Sequence, residues 1–128
     1  MLYIIDSYAW IEYFLGSSKG EILRALFLEE QHKFTTVECC PGEIKGWCLR
    51  EKKNFEEYLT IIRTNSAIMP VIQQNWIEAA QERFELRKTR KNFGLIDAML
   101  VVKQKANVGT IISGDPHFKG LPGCIFME

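Results

Sequence analysis

The sequence predicts an α/β fold, a three-layer sandwich around a mostly parallel central sheet of about five strands. Two observations predict it. Five short, nearly continuous apolar runs punctuate the chain, and segments with helical apolar spacing lie between them. Near-continuous apolarity suits strands covered by helices on both faces. Strand and helix alternating along one chain close into such a sandwich through right-handed crossovers.

The elements follow in order. The first run, Leu2–Ile5, meets Asp6-Ser7 and leads into a helix over residues 8–14, which Gly16-Ser17-Ser18 ends. Ile22, Leu23, Leu26 and Phe27 make the apolar stripe of a second helix. Residues 34–37 read as the second strand, and Pro41 suits the first position of the helix after it. Phe55, Leu59 and Ile62 mark another helix, and residues 67–72 read as the third strand. Trp76, Ala80 and Phe84 recur at four-residue steps, and Leu95, Ala98, Met99 and Val102 form the last helical stripe. Thr110–Ser113 and Cys124–Phe126 complete the strands. Turns fall at Gly114-Asp115-Pro116 and Gly120-Leu121-Pro122-Gly123.

At 128 residues and 47% hydrophobic, the chain is expected to form one domain over residues 1–128 with a core of its own. Sixteen Lys+Arg balance sixteen Asp+Glu, which argues against a generic basic coat for nucleic acid and against an acidic tail. The charge is nevertheless segregated. Residues 1–30 carry five acids and two bases, whereas residues 83–105 carry seven bases and two acids. No apolar run approaches the ~20 residues of a membrane span. The N-terminus meets an acid at once instead of a basic segment, so no signal peptide is expected, and the location expected is the cytoplasm. Cys39, Cys40, Cys48 and Cys124 form no C-x-x-C pair and read as free, buried thiols. A Cys39–Cys48 disulfide would need an oxidising or thermophilic setting.

In an open parallel sheet, chemistry collects beyond the carboxyl ends of the strands. Asp6 follows the first strand, Glu38 and Glu43 follow the second, and Asp115 follows Thr110–Ser113. Asp97 opens the last long helix. Any one of these acids has an ordinary use in capping a helix N-terminus. Four at one sheet edge repel one another beyond that benefit unless a cation intervenes, and a hard divalent ion is the natural solution. Mg²⁺ or Mn²⁺ held this way supplies both an activated water and positive charge for phosphodiester hydrolysis. No Ser–His or Cys–His nucleophile competes. His32 and His117 are the only histidines, His32 is placed in a surface loop, and His117 with Lys119 in a surface turn, with contact to phosphate as the alternative.

These residues also carry a resemblance. Tyr3-Ile4-Ile5-Asp6-Ser7, the stretch from Phe34 to Ile44 with Glu43, Leu95-Ile96-Asp97-Ala98-Met99-Leu100, and Thr110 through Phe118 with Ser113-Gly114-Asp115 match, in order, the motifs of the PIN-domain ribonucleases. The chain most resembles their small VapC-type toxins and archaeal relatives. The resemblance implies a metal-dependent endoribonuclease, a homodimer, and an antitoxin partner in the toxin branch. It assigns Asp6, Glu43, Asp97 and Asp115 to metal and catalysis, with Asp115 in an outer shell or at a second ion. Glu38-Cys39-Cys40-Pro41-Gly42 departs from the family's more apolar segment, which leaves Glu38 as the alternative to Glu43.

Ser7 and Ser113 either hydrogen-bond near the ion or cap turns. Lys45 and the run Arg83, Arg87, Lys88, Arg90, Lys91 are the candidates for RNA backbone contact, against an ordinary solvated helix face. Trp10, Trp47 and Trp76 read as core or interface residues, Trp47 with Leu49 as a groove for an antitoxin helix or, equally, Trp76 with Phe84 as a face for a second protomer. Alternative functions are a housekeeping RNA-processing nuclease of the same fold and an inactive domain that binds RNA or protein.

Overall fold

The computed structural model describes all 128 residues. Five strands, β1 (Leu2–Ile5), β2 (Lys33–Val37), β3 (Ala67–Met69), β4 (Thr110–Ser113) and β5 (Cys124–Phe126), form one sheet in the order β3-β2-β1-β4-β5. Every pairing is parallel, with Ile5 opposite Ile112 and Tyr3 opposite Phe34. Six helices connect the strands: α1 (Ser7–Leu15), α2 (Gly20–Phe27), α3 (Cys40–Glu51), α4 (Phe55–Asn65), α5 (Gln73–Leu86) and α6 (Leu95–Asn107).

The three layers follow from alternation along the central strands. Tyr3 and Ile5 point to one side, with Trp10, Leu23, Ile44, Cys48 and Ile62 from α1–α4. Ile4 and Ile111 point to the other, with Ala79 of α5 and Ala98, Met99 and Val102 of α6. Trp10 is fully buried, stacks on Phe14 and donates from Nε1 to Thr36 Oγ1 at 3.0 Å. It is a core residue whose polar handle is satisfied. Gly16 ends α1 in the left-handed conformation at φ 66°. The α1–α2 corner is tight at Gly20, where an added Cβ would lie 2.3 Å from the Glu12 carbonyl oxygen. No helix is long and apolar enough to cross a membrane. All four cysteines are free.

Two sequence expectations are corrected. The third strand stops at Met69 rather than running to residue 72, because Pro70 has no N–H for the ladder. The inward face of α5 is Trp76, Ala79 and Leu86, whereas Ala80 is exposed and Phe84 is 65% exposed. The placement of His32 in a surface loop also needs refinement. It lies in the turn before β2, yet its side chain is only 10% exposed and packs edge-on against Tyr3.

Candidate active site

The strand order reverses direction at β1, whose neighbours are β2 and β4. Crossovers leave to opposite sides there and open a crevice at the carboxyl ends. Four carboxylates converge on it from four separate segments.

Asp6 leaves β1 and is the N-cap of α1, where its Oδ1 accepts the Ala9 N–H at 2.8 Å. Ser113, at the end of β4, donates its hydroxyl to Asp6 Oδ2 and accepts the Asp115 N–H at 2.9 Å. The β1–β4 register fixes this relay, since Ile5 pairs Ile112 and the next residues are Asp6 and Ser113. Glu43 stands in the first turn of α3, and Ser7 Oγ donates to its Oε1 at 2.7 Å. Asp97 stands in the first turn of α6. Asp115 caps the 3-10 turn Pro116–Phe118 by accepting the His117 N–H at 2.9 Å.

That turn brings His117 back into the cluster. Its Nδ1 lies 2.9 Å from Asp97 Oδ2 and 3.6 Å from Asp115 Oδ1. Asp97, Asp115 and His117 each offer an atom within 4.8 Å of the others, a spacing that suits a metal ion. The sequence pattern alone places His117 in a surface turn. The available signal was Asp-Pro-His, since Pro116 opens a turn that swings residue 117 over residue 115.

The electrostatics match. Asp6 is 4% exposed, and burial pushes its carboxyl up to about 7, with the charges of Asp115 and Asp97 adding to the rise. Glu43 and Asp97 are raised by burial first, with repulsion from neighbouring acids contributing to both. No lysine or arginine forms an ion pair with any of the four acids. Partly desolvated acids whose nearest cationic partner is His117, charged only when protonated, are a costly arrangement, and a hard divalent cation relieves it. Asp97, Asp115 and His117 stand close enough to share such an ion, and Asp6 and Glu43 lie near enough to feel the charges of Asp97 and Asp115.

Other expectations separate. Glu38 is exposed and spends its Oε1 on the Val71 N–H at 2.6 Å, the first amide beyond Pro70. It braces the loop between β3 and α5, while Glu43 is the acid that Ser7 holds at the site. Arg87 Nε donates to the Phe93 carbonyl at 2.7 Å. Arg90 Nη1 donates to the carbonyls of His117 at 3.0 Å and Lys119 at 2.8 Å. Both arginines thus brace backbone, and Arg90 clamps the turn that carries Asp115 and His117. Lys88 pairs with Glu85 at 2.9 Å. Lys91 is exposed, and Lys45 lies above the Phe55 ring with Nζ 5.1 Å from its centroid. Trp47 packs towards Tyr58, whereas Leu49, two residues on, is 68% exposed on another face of α3. Residues two apart on a helix do not face the same way, so the pair forms no common groove wall.

No protein-family model and no curated protein matches the sequence. Solved structures do match. VapC20 of Mycobacterium tuberculosis, a sarcin-ricin-loop-cleaving toxin, superposes with a TM-score of 0.76 at 13% identity, over 94% of this chain and 95% of that one. A chain of VapBC2 from Rickettsia felis, solved bound to a promoter DNA fragment, gives 0.74 at 16% identity over 98% and 97%. A chain of VapBC-1 from nontypeable Haemophilus influenzae gives 0.68 at 16% identity over 99% and 98%. The all-parallel five-stranded sheet between two helical layers is therefore the PIN-like fold of the VapC proteins, and this chain is built on it.

Proposed function

We propose that this chain is a divalent-metal-dependent endoribonuclease, the toxin of a toxin–antitoxin pair acting in the cytoplasm. One observation carries the reading: Asp6, Glu43, Asp97 and Asp115 converge at the sheet's switch point without any lysine or arginine to balance them. The likeness to VapC structures supports the substrate class. When bound, Mg²⁺ or Mn²⁺ supplies an activated water and positive charge for the phosphoryl and leaving oxygens.

The chain's own residues do the rest. Asp6, Glu43 and Asp97 would hold the ion, and Asp115, which lies with His117 beside Asp97, would serve an outer position or a second ion. Ser113 and Ser7 fix the carboxylates of Asp6 and Glu43 by donating to them. His117 Nδ1 hydrogen-bonds Asp97 Oδ2 at 2.9 Å and lies 3.6 Å from Asp115 Oδ1, so it ties the two acids to one imidazole. Such bracing matters because a ligand misplaced by an ångström loses much of its effect.

The partners follow from surface and likeness. Several matching structures are toxin–antitoxin complexes. The groove between α1, α2 and α4, walled by Tyr13, Phe14, Tyr58 and Ile61, is the aromatic surface open to an antitoxin segment. A homodimer would cover the exposed Ile77 and Phe84 of α5.

A panel of fluorescent single-stranded RNAs, titrated with Mg²⁺ and Mn²⁺, tests the proposal. Wild type should cut at least one RNA only with metal, and Asp97→Asn should cut none. Failure of every RNA with both metals would leave a binding module.

A further inference from the structure

A second groove lies on the same sheet edge, beyond Glu43. It occupies about 370 Å³ between α3, α4 and the edge strand β3. Phe55 and Leu59 of α4 wall one side, and Ile68 of β3, 39% exposed, forms the floor. Lys45 and Arg63 stand over it, and neither has an ion-pair partner. Glu38 is the one acid in the lining, and its Oε1 is taken by the Val71 N–H. Gly42, next to Glu43 in the chain, lines the groove, and a side chain there would meet nothing within 4 Å.

We propose that this groove seats one nucleoside of a single-stranded RNA substrate, flanking the phosphate cut at the four-acid centre. The inference rests on the ribonuclease reading above and names the part of the substrate this surface takes. Three features select a nucleotide. Flat aromatic and apolar walls suit a base of any identity, because every base offers a π-face. Two unpaired cations suit the phosphates on either side of it. The volume is at the low end of the roughly 300–1,000 Å³ typical of small-ligand sites, enough for a nucleoside and too narrow for a duplex.

The distance also fits. From the β4–β1 boundary to the β2–β3 boundary is two strand spacings, about 10 Å. An extended strand crosses that span in one or two nucleotide steps. In the unbound protein the Lys45 ammonium rests 5.1 Å from the Phe55 centroid. Its flexible stem lets it swing to a phosphate and free the ring face for the base.

The test uses an RNA that wild type cleaves, with an abasic residue moved through each position flanking the cut. At one position on one side, the abasic RNA should lower kcat/KM about tenfold, mostly through KM. Phe55→Ala should show that loss on the intact RNA and no further loss on the abasic one. Phe55→Tyr should restore wild-type behaviour, which separates stacking from a folding defect. Arg63→Gln should reduce the slope of log KM against log salt by about 0.7, the signature of one lost single-strand phosphate contact. Equal abasic sensitivity in wild type and Phe55→Ala, with an unchanged salt slope for Arg63→Gln, overturns the subsite while leaving the nuclease standing. Such a groove would then belong to a protein partner. A wild type that cuts no RNA removes the nuclease reading and the subsite together.

Discussion

Replacing Asp6 with asparagine should stabilise the metal-free protein at alkaline pH, although Asp6 is among the most buried polar residues in the chain. The size follows from its surroundings. Burial raises the carboxyl from 3.8 to about 7. A group raised in the folded state holds a proton that the unfolded chain releases. Stability is therefore full below about pH 4 and falls as pH rises through the folded value. Three units at 1.36 kcal/mol each put the penalty at about 4 kcal/mol by pH 8. Asparagine keeps a carbonyl oxygen for the Ala9 N–H and turns its amide toward Ser113. Weakening the Ser113 bond costs about 1 kcal/mol, which leaves a net gain of about 3 kcal/mol at pH 8. At pH 5 the gain should shrink to under about 1 kcal/mol, since wild type is then protonated. Glu43 and Asp97, raised for the same reason, steepen the wild-type slope. Denaturant melts in the presence of a chelator at pH 5 and pH 8 measure both values. A wild-type stability that is flat or rising across this window would refute the reasoning. So would an Asp6→Asn protein less stable than wild type at pH 8.

Further outcomes follow from the same geometry. Glu43→Gln should lower cleavage at least a hundredfold, whereas Glu38→Ala should leave kcat intact and cost about 1 kcal/mol in a thermal melt through the lost Val71 bond. Arg90→Ala should slow cleavage at least tenfold with no change in salt dependence, because Arg90 clamps the 116–119 turn rather than RNA. Lys91→Ala, at an exposed position of the same basic run, should alter salt dependence more than rate. Gly20→Ala should destabilise by about 2 kcal/mol in a denaturant melt, since its Cβ would strike the Glu12 backbone.

Much of this was legible in the chain. The first, fourth and fifth strands were readable to the residue, because each is bounded by a turn or a polar break. The third was read too long across Pro70, where a missing donor outweighs the apolar pattern. On α5, apolar residues occupy both sides, so the four-residue step of Trp76, Ala80 and Phe84 named a stripe that the fold leaves partly in solvent. That the acids gather near one another was legible because each follows a strand or opens a helix. His117 was not, since its approach to Asp97 depends on a turn held by Arg90 from 27 residues away. The same contact explains why the basic run read as an RNA surface. Charge is visible in sequence, but the carbonyls that Arg87 and Arg90 satisfy are not.

The most direct test of the four-acid centre is calorimetric titration of Mn²⁺ into the metal-free protein at pH 7, in buffers of differing ionisation enthalpy. With Asp6 raised to about 7, binding must expel its proton. The expected result is saturable binding with release of roughly half to one proton per protein, and much weaker binding in Asp6→Asn. Binding that is absent, or that releases no proton and survives Asp6→Asn unchanged, would contradict a metal centre built on these carboxylates.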